Sequence, residues 1–418
     1  MMLVTTPLRD FAEEVVARLR QAGYEALLAG GCVRDLQLGL EPKDYDVATN
    51  AIPAEVRAVF GHRKTLAVGE SFGVVVVLGP TVQHGQVEVA TFRTDGSYSD
   101  GRRPDNVTYA TAQEDAMRRD YTINGMFFDP ATNQVIDYVG GLQDLQDRVL
   151  RAIGDPVARI REDKLRMLRA IRFAARFELT VDQSTWEGIV QHADELQQVS
   201  PERITMELRS MLRHPNRAAA FRMLYSSGLL NQILMELNSV GTSLPIDRTC
   251  RQLELMQIHS FELAMFIVLI NGMQEQDIST TVEQRCRELR MSNAETEQIV
   301  WLCTAKDQLN GAADLPKHQL KTLLHHTHSD YLLEWVRVRA LEQGQQPADY
   351  EFCRSYLSKT SAEQLWPEPF LKGHDLIEMG LKPGREFSHL LQRVFEAQLD
   401  EQLATKDQAI ELVRKLIS

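Results

Sequence analysis

The chain has 418 residues, a length that holds two to four domains at about 150 residues each. An apolar fraction of 44% and a charged fraction of 25% fit a globular protein and exclude a fibrous repeat or general disorder. The net charge of −12 excludes a generic nucleic-acid coat but not a local basic surface. No stretch approaches the roughly 18 to 20 apolar residues of a membrane span, and the start does not read as a secretory leader. Five cysteines (Cys32, Cys250, Cys286, Cys303, Cys353) form no C-x-x-C pair. That pattern argues against a disulfide framework or a zinc site, and for a reducing cytoplasm.

In chain order, residues 8–23 read as an amphipathic helix stopped by Gly23, and 24–29 as a short strand entering Gly30-Gly31. Strands are predicted over 44–48, 72–78 and 87–92, with a helix over 54–60. Segments 123–128 and 134–138 read as a hairpin across Asp129-Pro-Ala-Thr-Asn133. After Gly141 helical spacing dominates, broken near Ser200-Pro201 and within 240–245, 311–316 and 344–347. The expected class is α+β, a small mixed-sheet head followed by an all-α remainder.

The sharpest pattern is Gly30-Gly-Cys-Val-Arg-Asp35 followed by Asp44-Tyr-Asp46. On a strand, Asp44 and Asp46 point to one face. Two adjacent carboxylates repel unless a cation lies between them, and oxygen ligands at that density suit Mg²⁺ beside substrate phosphates. The Gly30-Gly31 turn lets backbone N–H groups approach phosphate, and Arg34 adds positive charge.

Those residues resemble the first motif of the class II nucleotidyltransferases, the family of tRNA CCA-adding enzymes and bacterial poly(A) polymerases. Arg118-Arg-Asp-Tyr-Thr-Ile-Asn124 resembles the second motif and Asp137-Tyr-Val-Gly-Gly-Leu-Gln-Asp-Leu145 the third. Glu162-Asp-Lys-Leu-Arg-Met-Leu-Arg-Ala-Ile-Arg-Phe173 resembles the fourth, and Ser200-Pro-Glu-Arg-Ile-Thr-Met-Glu-Leu208 the fifth. The resemblance implies a polymerase-beta-like head over 1–147, a neck with a base-templating helix over 148–210, a helical body over 211–310 and a tRNA-binding tail over 311–418. It implies two Mg²⁺ on Asp44 and Asp46, with Glu88 as a third catalytic carboxylate. Arg119, Asp120 and Asn124 are expected on ribose and phosphate. Glu162, Asp163, Arg166, Arg169 and Arg172 are expected around the nucleotide.

On one continuous helix Asp163 and Arg166 lie about 60° apart and offer an acceptor beside a donor. Adenine and cytosine both present an amino donor next to a ring acceptor. Guanine and uracil present the reverse and would leave buried polar groups unpaired. Two side chains can thus accept ATP and CTP without a nucleic-acid template. Arg169 and Arg172 drift off that face and are expected to reach phosphate or carboxylates. Residues 148–176 carry nine Arg and Lys against three acids, a basic run beside the expected site.

The segment 93–106, with Arg93, Asp95, Arg102 and Arg103, reads as a mobile loop. It resembles the family loop associated with switching from CTP to ATP. Phe370–Arg385 resembles the tail that grips tRNA in many bacterial CCA-adding enzymes. His325-His326-Thr-His328 reads as surface rather than metal site, and His374-Asp375 lacks the partners of a phosphohydrolase. The expected function is addition of CMP and AMP to the 3′ end of tRNA. Alternatives are an A-adding enzyme acting on tRNA ending in CC, a poly(A) polymerase and, remotely, an inactive RNA-binding protein. The intact Asp pair argues against the last.

Overall fold

A computed structural model describes residues 6–67, 73–95, 107–234, 245–272 and 278–417. The chain forms two compact units, residues 1–211 with 219–236, and residues 212–218 with 237–418.

The first unit opens with α1 (Pro7–Gln21), begun by Pro7 and a Thr6 side chain that accepts from Arg9 N–H. Phe11, Ala12, Val15, Val16 and Leu19 form its buried face against β1 (Ala26–Ala29) and β2 (Asp46–Thr49). Between these strands lies α2 (Gly31–Gln37). The segments α3 (Pro53–Phe60), β3 (Thr65–Leu66), β4 (Val74–Leu78) and β5 (Gln86–Thr91) follow. Next come the hairpin β6 (Arg93–Asp95) with β7 (Val107–Tyr109), then α4 (Ala112–Met117), β8 (Phe127–Asp129) and β9 (Gln134–Ile136). The main sheet has the order β3-β4-β5-β2-β1-β8-β9.

Register fixes the site. β2 pairs with β1 through Ala29↔Asp46 and, in parallel, with β5 through Asp46↔Glu88. Directly paired residues share a sheet face, so Ala29, Asp46 and Glu88 project together. Along β5 the alternation is clean, with Val87, Val89 and Thr91 buried and Glu88 exposed. The same face carries a core of Leu27, Ala29, Ala48, Phe92, Ala112, Ala116 and Phe127.

Several elements differ in detail from the sequence reading. Asp44 precedes β2 rather than lying in it. Residues 122–124 form a 3₁₀ turn instead of a strand, and only 127–129 pair. The neck helix is two helices. α5 (Gly141–Gln146) and β10 (Val149–Leu150) lead to α6 (Pro156–Glu162), which ends at Asp163, whose backbone is extended at φ −148° and ψ 105°. A new helix, α7 (Leu165–Phe177), follows. The rest of the unit includes β11 (Thr180–Val181), which pairs in parallel with β10, α8 (Gln183–Gln191) and α9 (Pro201–Leu212).

The described residues of the second unit are helical, without a strand. Gly380, at φ +85°, stops the helix Gly373–Glu378. Asp375 accepts from Lys372 N–H and pairs with Lys406, so the His374-Asp375 dipeptide caps a helix. His326 stacks on Trp301 at 3.9 Å between centroids, and His325 stacks on Trp366 at 4.3 Å. No group of three metal-binding side chains forms among the described residues. All five cysteines are free and buried, and no described helix is long and apolar enough to cross a membrane.

Candidate active site

A cleft of about 650 Å³ lies within the first unit and is lined by nine arginines and one lysine against five aspartates. Of the residues predicted from sequence, Gly30, Gly31, Arg34, Asp44, Asp46, Arg93, Arg119, Asp120, Asn124, Asp163, Arg166, Arg169 and Arg172 line it. Glu88 and Glu162 do not.

Asp44 and Asp46 form the acidic edge. Asp46 is open to the cleft, yet desolvation by the surrounding protein, reinforced by the charges of Glu88 and Asp44, pushes its carboxyl up to about 6. Among the described residues no side-chain cation is ion-paired with Asp44, Asp46 or Glu88. Arg119 acts on Asp46 only from a distance, and a pair of crowded hard-oxygen donors with no ion-paired side chain among the described residues fits Mg²⁺, which keeps part of its shell for water and phosphate. Glu88 sits beside Asp46 in register, but the three carboxylates do not close into a three-ligand group. Cys32 lies beneath this edge with its thiol pushed up to about 12 by burial, so it is inert packing.

The turn after β1 needs glycine for steric reasons. Gly30 has φ +72°, and a Cβ there would meet Arg119 Nη1 at 2.9 Å. Its N–H is spent on Met126 O at 3.1 Å, so it is not a phosphate donor as the sequence suggested. Arg34 is buried, donates to Asp35 Oδ1 from Nε at 2.9 Å and to Asn124 Oδ1, and lies over the Phe177 ring at 4.3 Å. Asn124 in turn donates to Asp120 Oδ1 at 3.0 Å. Asp120 Oδ2 accepts both Arg169 Nε at 2.8 Å and Nη2 at 2.6 Å. Burial alone would raise the Asp120 carboxyl, but Arg169 and the hydrogen bonds bring it down to about 2. Asp115, absent from the predicted set, holds both Arg118 at 2.7 Å and Arg119 at 2.9 Å.

The fourth motif departs most from expectation. Because α6 ends at Asp163, this residue and Arg166 do not share one continuous helix. Asp163 Oδ1 accepts from Leu165 N–H at 3.0 Å, and Oδ2 accepts from Arg203 Nη2 at 2.7 Å. Arg166 Nη1 donates to Glu162 Oε2 at 2.6 Å and to Arg159 O at 2.9 Å. Glu162 thus steadies Arg166 instead of facing the cleft. Arg172 pairs with Glu207 at 2.6 Å. Phe173 forms a floor beneath the guanidinium groups of Arg34, Arg169 and Arg172.

The basic run is therefore not free charge. Arg151, Arg169 and Arg172 are matched by Asp144, Asp182, Asp120 and Glu207 from outside it. In the third motif Asp137 accepts N–H groups of Val139, Gly140 and Leu142, and Asp144 accepts the Thr122 hydroxyl at 2.7 Å. Asp144 thereby braces the turn that presents Asn124, while Asp137 closes the chain at the start of α5. Sequence reasoning missed Lys43, Asp35, Arg118, Phe173, Arg176 and Arg203 as lining residues. Arg203 lay inside the quoted fifth motif, a signal that gave it no role. Arg102 and Arg103 lie outside the described residues, as does the Asp95 side chain.

The sheet order, the acidic strand edge and the arginine-lined cleft together define a nucleotidyltransferase head. Residues 26–151 match the "Poly A polymerase head domain", and residues 178–240 match the "Probable RNA and SrmB- binding site of polymerase A". A CCA-adding enzyme of Lactobacillus helveticus is 30% identical over 409 residues, covering 96% of this chain and 95% of that protein. The chain belongs to the class II family of tRNA nucleotidyltransferases and bacterial poly(A) polymerases. A CCA-adding enzyme of Limosilactobacillus reuteri is 41% identical over 220 residues, 52% of this chain and 53% of that protein. Poly(A) polymerase I of Salmonella typhi is 43% identical over 232 residues, 52% and 48% respectively. The chain thus spans about half the length of these two relatives. The crystal structure of the Bacillus stearothermophilus CCA-adding enzyme in complex with CTP is 27% identical, with a TM-score of 0.76 and 99% of both chains covered.

Proposed function

We propose that this protein adds CMP and AMP from CTP and ATP to the 3′ end of tRNA, in the cytoplasm and without a nucleic-acid template. The observation that carries the reading is the joint lining of one cleft by the Asp44/Asp46 edge and the Asp163 and Arg166 side chains. The full-length similarity to a CCA-adding enzyme supports it. The division into head (1–147), neck (148–210), body (211–310) and tail (311–418) is part of the same proposal, with the tail on tRNA.

Asp44 and Asp46 would hold Mg²⁺, which when bound activates the attacking hydroxyl and neutralises the leaving pyrophosphate. The remaining work is positioning and electrostatics. Asn124, fixed between Arg34 and Asp120, offers its amide toward ribose. Arg34 and Arg169, each locked by a carboxylate, keep donors turned to the triphosphate. Asp163 and Arg166 read the base edge from opposite sides of the helix break. Phe173 shields the arginines from water on one side, which strengthens their field in the cleft.

The similarity of about half of the chain to a poly(A) polymerase favours that activity as the second reading. The test supplies CTP and ATP separately to tRNA lacking CCA, tRNA ending in CC, and oligo(A). Two C residues added from CTP, then one A, support CCA synthesis. AMP addition to CC ends without CMP addition replaces it with the A-adding reading, and long tails on oligo(A) replace it with poly(A) synthesis.

A further inference from the structure

Asp163 is the least supported member of the base-reading pair. Its backbone is extended at the junction of the two helices, where its N–H donates to Arg159 O at 3.3 Å and its carbonyl accepts from Arg166 N–H at 3.0 Å, so the main chain is held and the aim of the carboxylate is left to its side-chain partners. Arg166 is held by Glu162, by Arg159 O and, at 3.4 Å, by Arg118 O. The Asp163 carboxylate has only the Leu165 N–H and one side chain, Arg203, among the described residues. Arg203 sits in the first turn of α9 and also lines the cleft. Both members of the ion pair are mostly withdrawn from solvent, at 18% and 16% exposure, so water weakens their contact little.

We infer that Arg203 is a positioning residue for base choice, acting through Asp163 and not on the nucleotide. The inference rests on the reading of Asp163 as a base-edge acceptor. A carboxylate offers about four acceptor positions. Leu165 N–H and Arg203 occupy two, so two remain for an amino group of the incoming base, and Arg203 need not leave when the nucleotide arrives. Its planar fork sets the carboxylate plane, which an ammonium on a flexible stem does less well. Without Arg203 only the Leu165 N–H restrains the carboxylate, and its second oxygen no longer faces one place. The penalty that rejects a carbonyl edge, an oxygen against an oxygen, then falls because the carboxylate can rotate away.

The test measures kcat/KM for CTP, UTP, ATP and GTP with Arg203→Met, Arg203→Lys, Asp163→Ala and the Arg203→Met/Asp163→Ala double variant, after a melting check. Arg203→Met is expected to lower the preference for CTP over UTP by about ten- to hundredfold. Arg203→Lys should recover part of it. The double variant should discriminate no worse than Asp163→Ala, because two residues that act as one unit are not additive. Unchanged discrimination in Arg203→Met, or additive losses in the double variant, overturns the inference. If Arg203→Met does not fold, Arg203→Lys decides by the same ratio: any loss supports the inference and none overturns it. Full discrimination in Asp163→Ala overturns the base-edge reading itself, a failure distinct from the other two.

Discussion

Both units bury guanidinium–carboxylate pairs, and they use them differently. In the first unit Asp35, Asp120 and Asp163 hold Arg34, Arg169 and Arg203 on the wall of an open cleft. In the second, the fully buried Arg217 donates to Ile258 O at 3.1 Å and to His259 Nδ1 at 2.6 Å. Glu334 accepts from the N–H groups of Gln257 and Ile258, and Arg337 is paired to Glu334 at 2.8 Å while donating to Leu255 O. There the charges are consumed by one chain turn at 255–259. Pairing alone does not mark a binding site. A fixed guanidinium whose remaining donors face a cavity does.

The contrast is sharpest where charge is left unpaired. Asp46→Asn should reduce nucleotide transfer by about three orders of magnitude or more, the several kcal/mol of charge stabilisation lost with a metal ligand. It should also raise the melting temperature of metal-free protein. The Asp46 carboxyl is raised in the fold, so its contribution is favourable at low pH and is lost as pH rises through about 6. Incorporation assays and melting in EDTA at pH 8 check both, and a destabilised variant would contradict the crowding of this edge.

Glu334→Gln should instead cost about 3–5 kcal/mol in the second unit, since it strips the partner from a buried charge. Hydrogen exchange over residues 329–342 reports that loss. Transfer per folded molecule should be unchanged, and a fall there would erase the distinction between the units.

Asp120→Asn falls between these cases. The carboxyl is depressed to about 2, so its stabilisation is complete above about pH 4 and is lost as pH falls toward 2. Removing it should cost about 2 kcal/mol at neutral pH and flatten the acid limb of a stability–pH curve.

The smallest effect is expected at Lys43. It is exposed, lines the cleft beside Asp44, and makes no ion pair or hydrogen bond among the described residues. Lys43→Ala should raise KM for the triphosphate by about threefold at low salt, an effect that fades as salt screens an exposed charge. A salt-independent change would mean that Lys43 is structural.

Much of the acidic edge and its flanking turn was legible because its residues are local. Gly30, Gly31, Arg34, Asp44 and Asp46 lie within one strand–helix–strand passage, where a period of two and a tight turn fix which side chains meet. Glu88 needed only a strand assignment, and parallel register with β2 then set it beside Asp46. The fourth motif was legible as residues but not as geometry. A continuous helical period fits 162–173 and outweighed the one local signal of a break, an Asp able to cap a new helix; at Asp163 the carboxylate accepts the N–H of Leu165 and pairs with Arg203.

Local pattern in the chain was thus enough for most of the elements, the acidic strand edge and the motifs that carry the family, but not for the turn at 122–124 or the break in the neck helix. Glu162 pairs locally with Arg159 and Arg166, but most of the other charge pairing in the cleft wall came from the fold. Arg151, Arg169, Arg172 and Arg176 find Asp182, Asp120, Glu207 and Asp35 across long sequence separations. The reason is physical: hydrophobic period is written along the chain, whereas a buried ion is stabilised by whichever counter-charge the fold brings within a few ångströms.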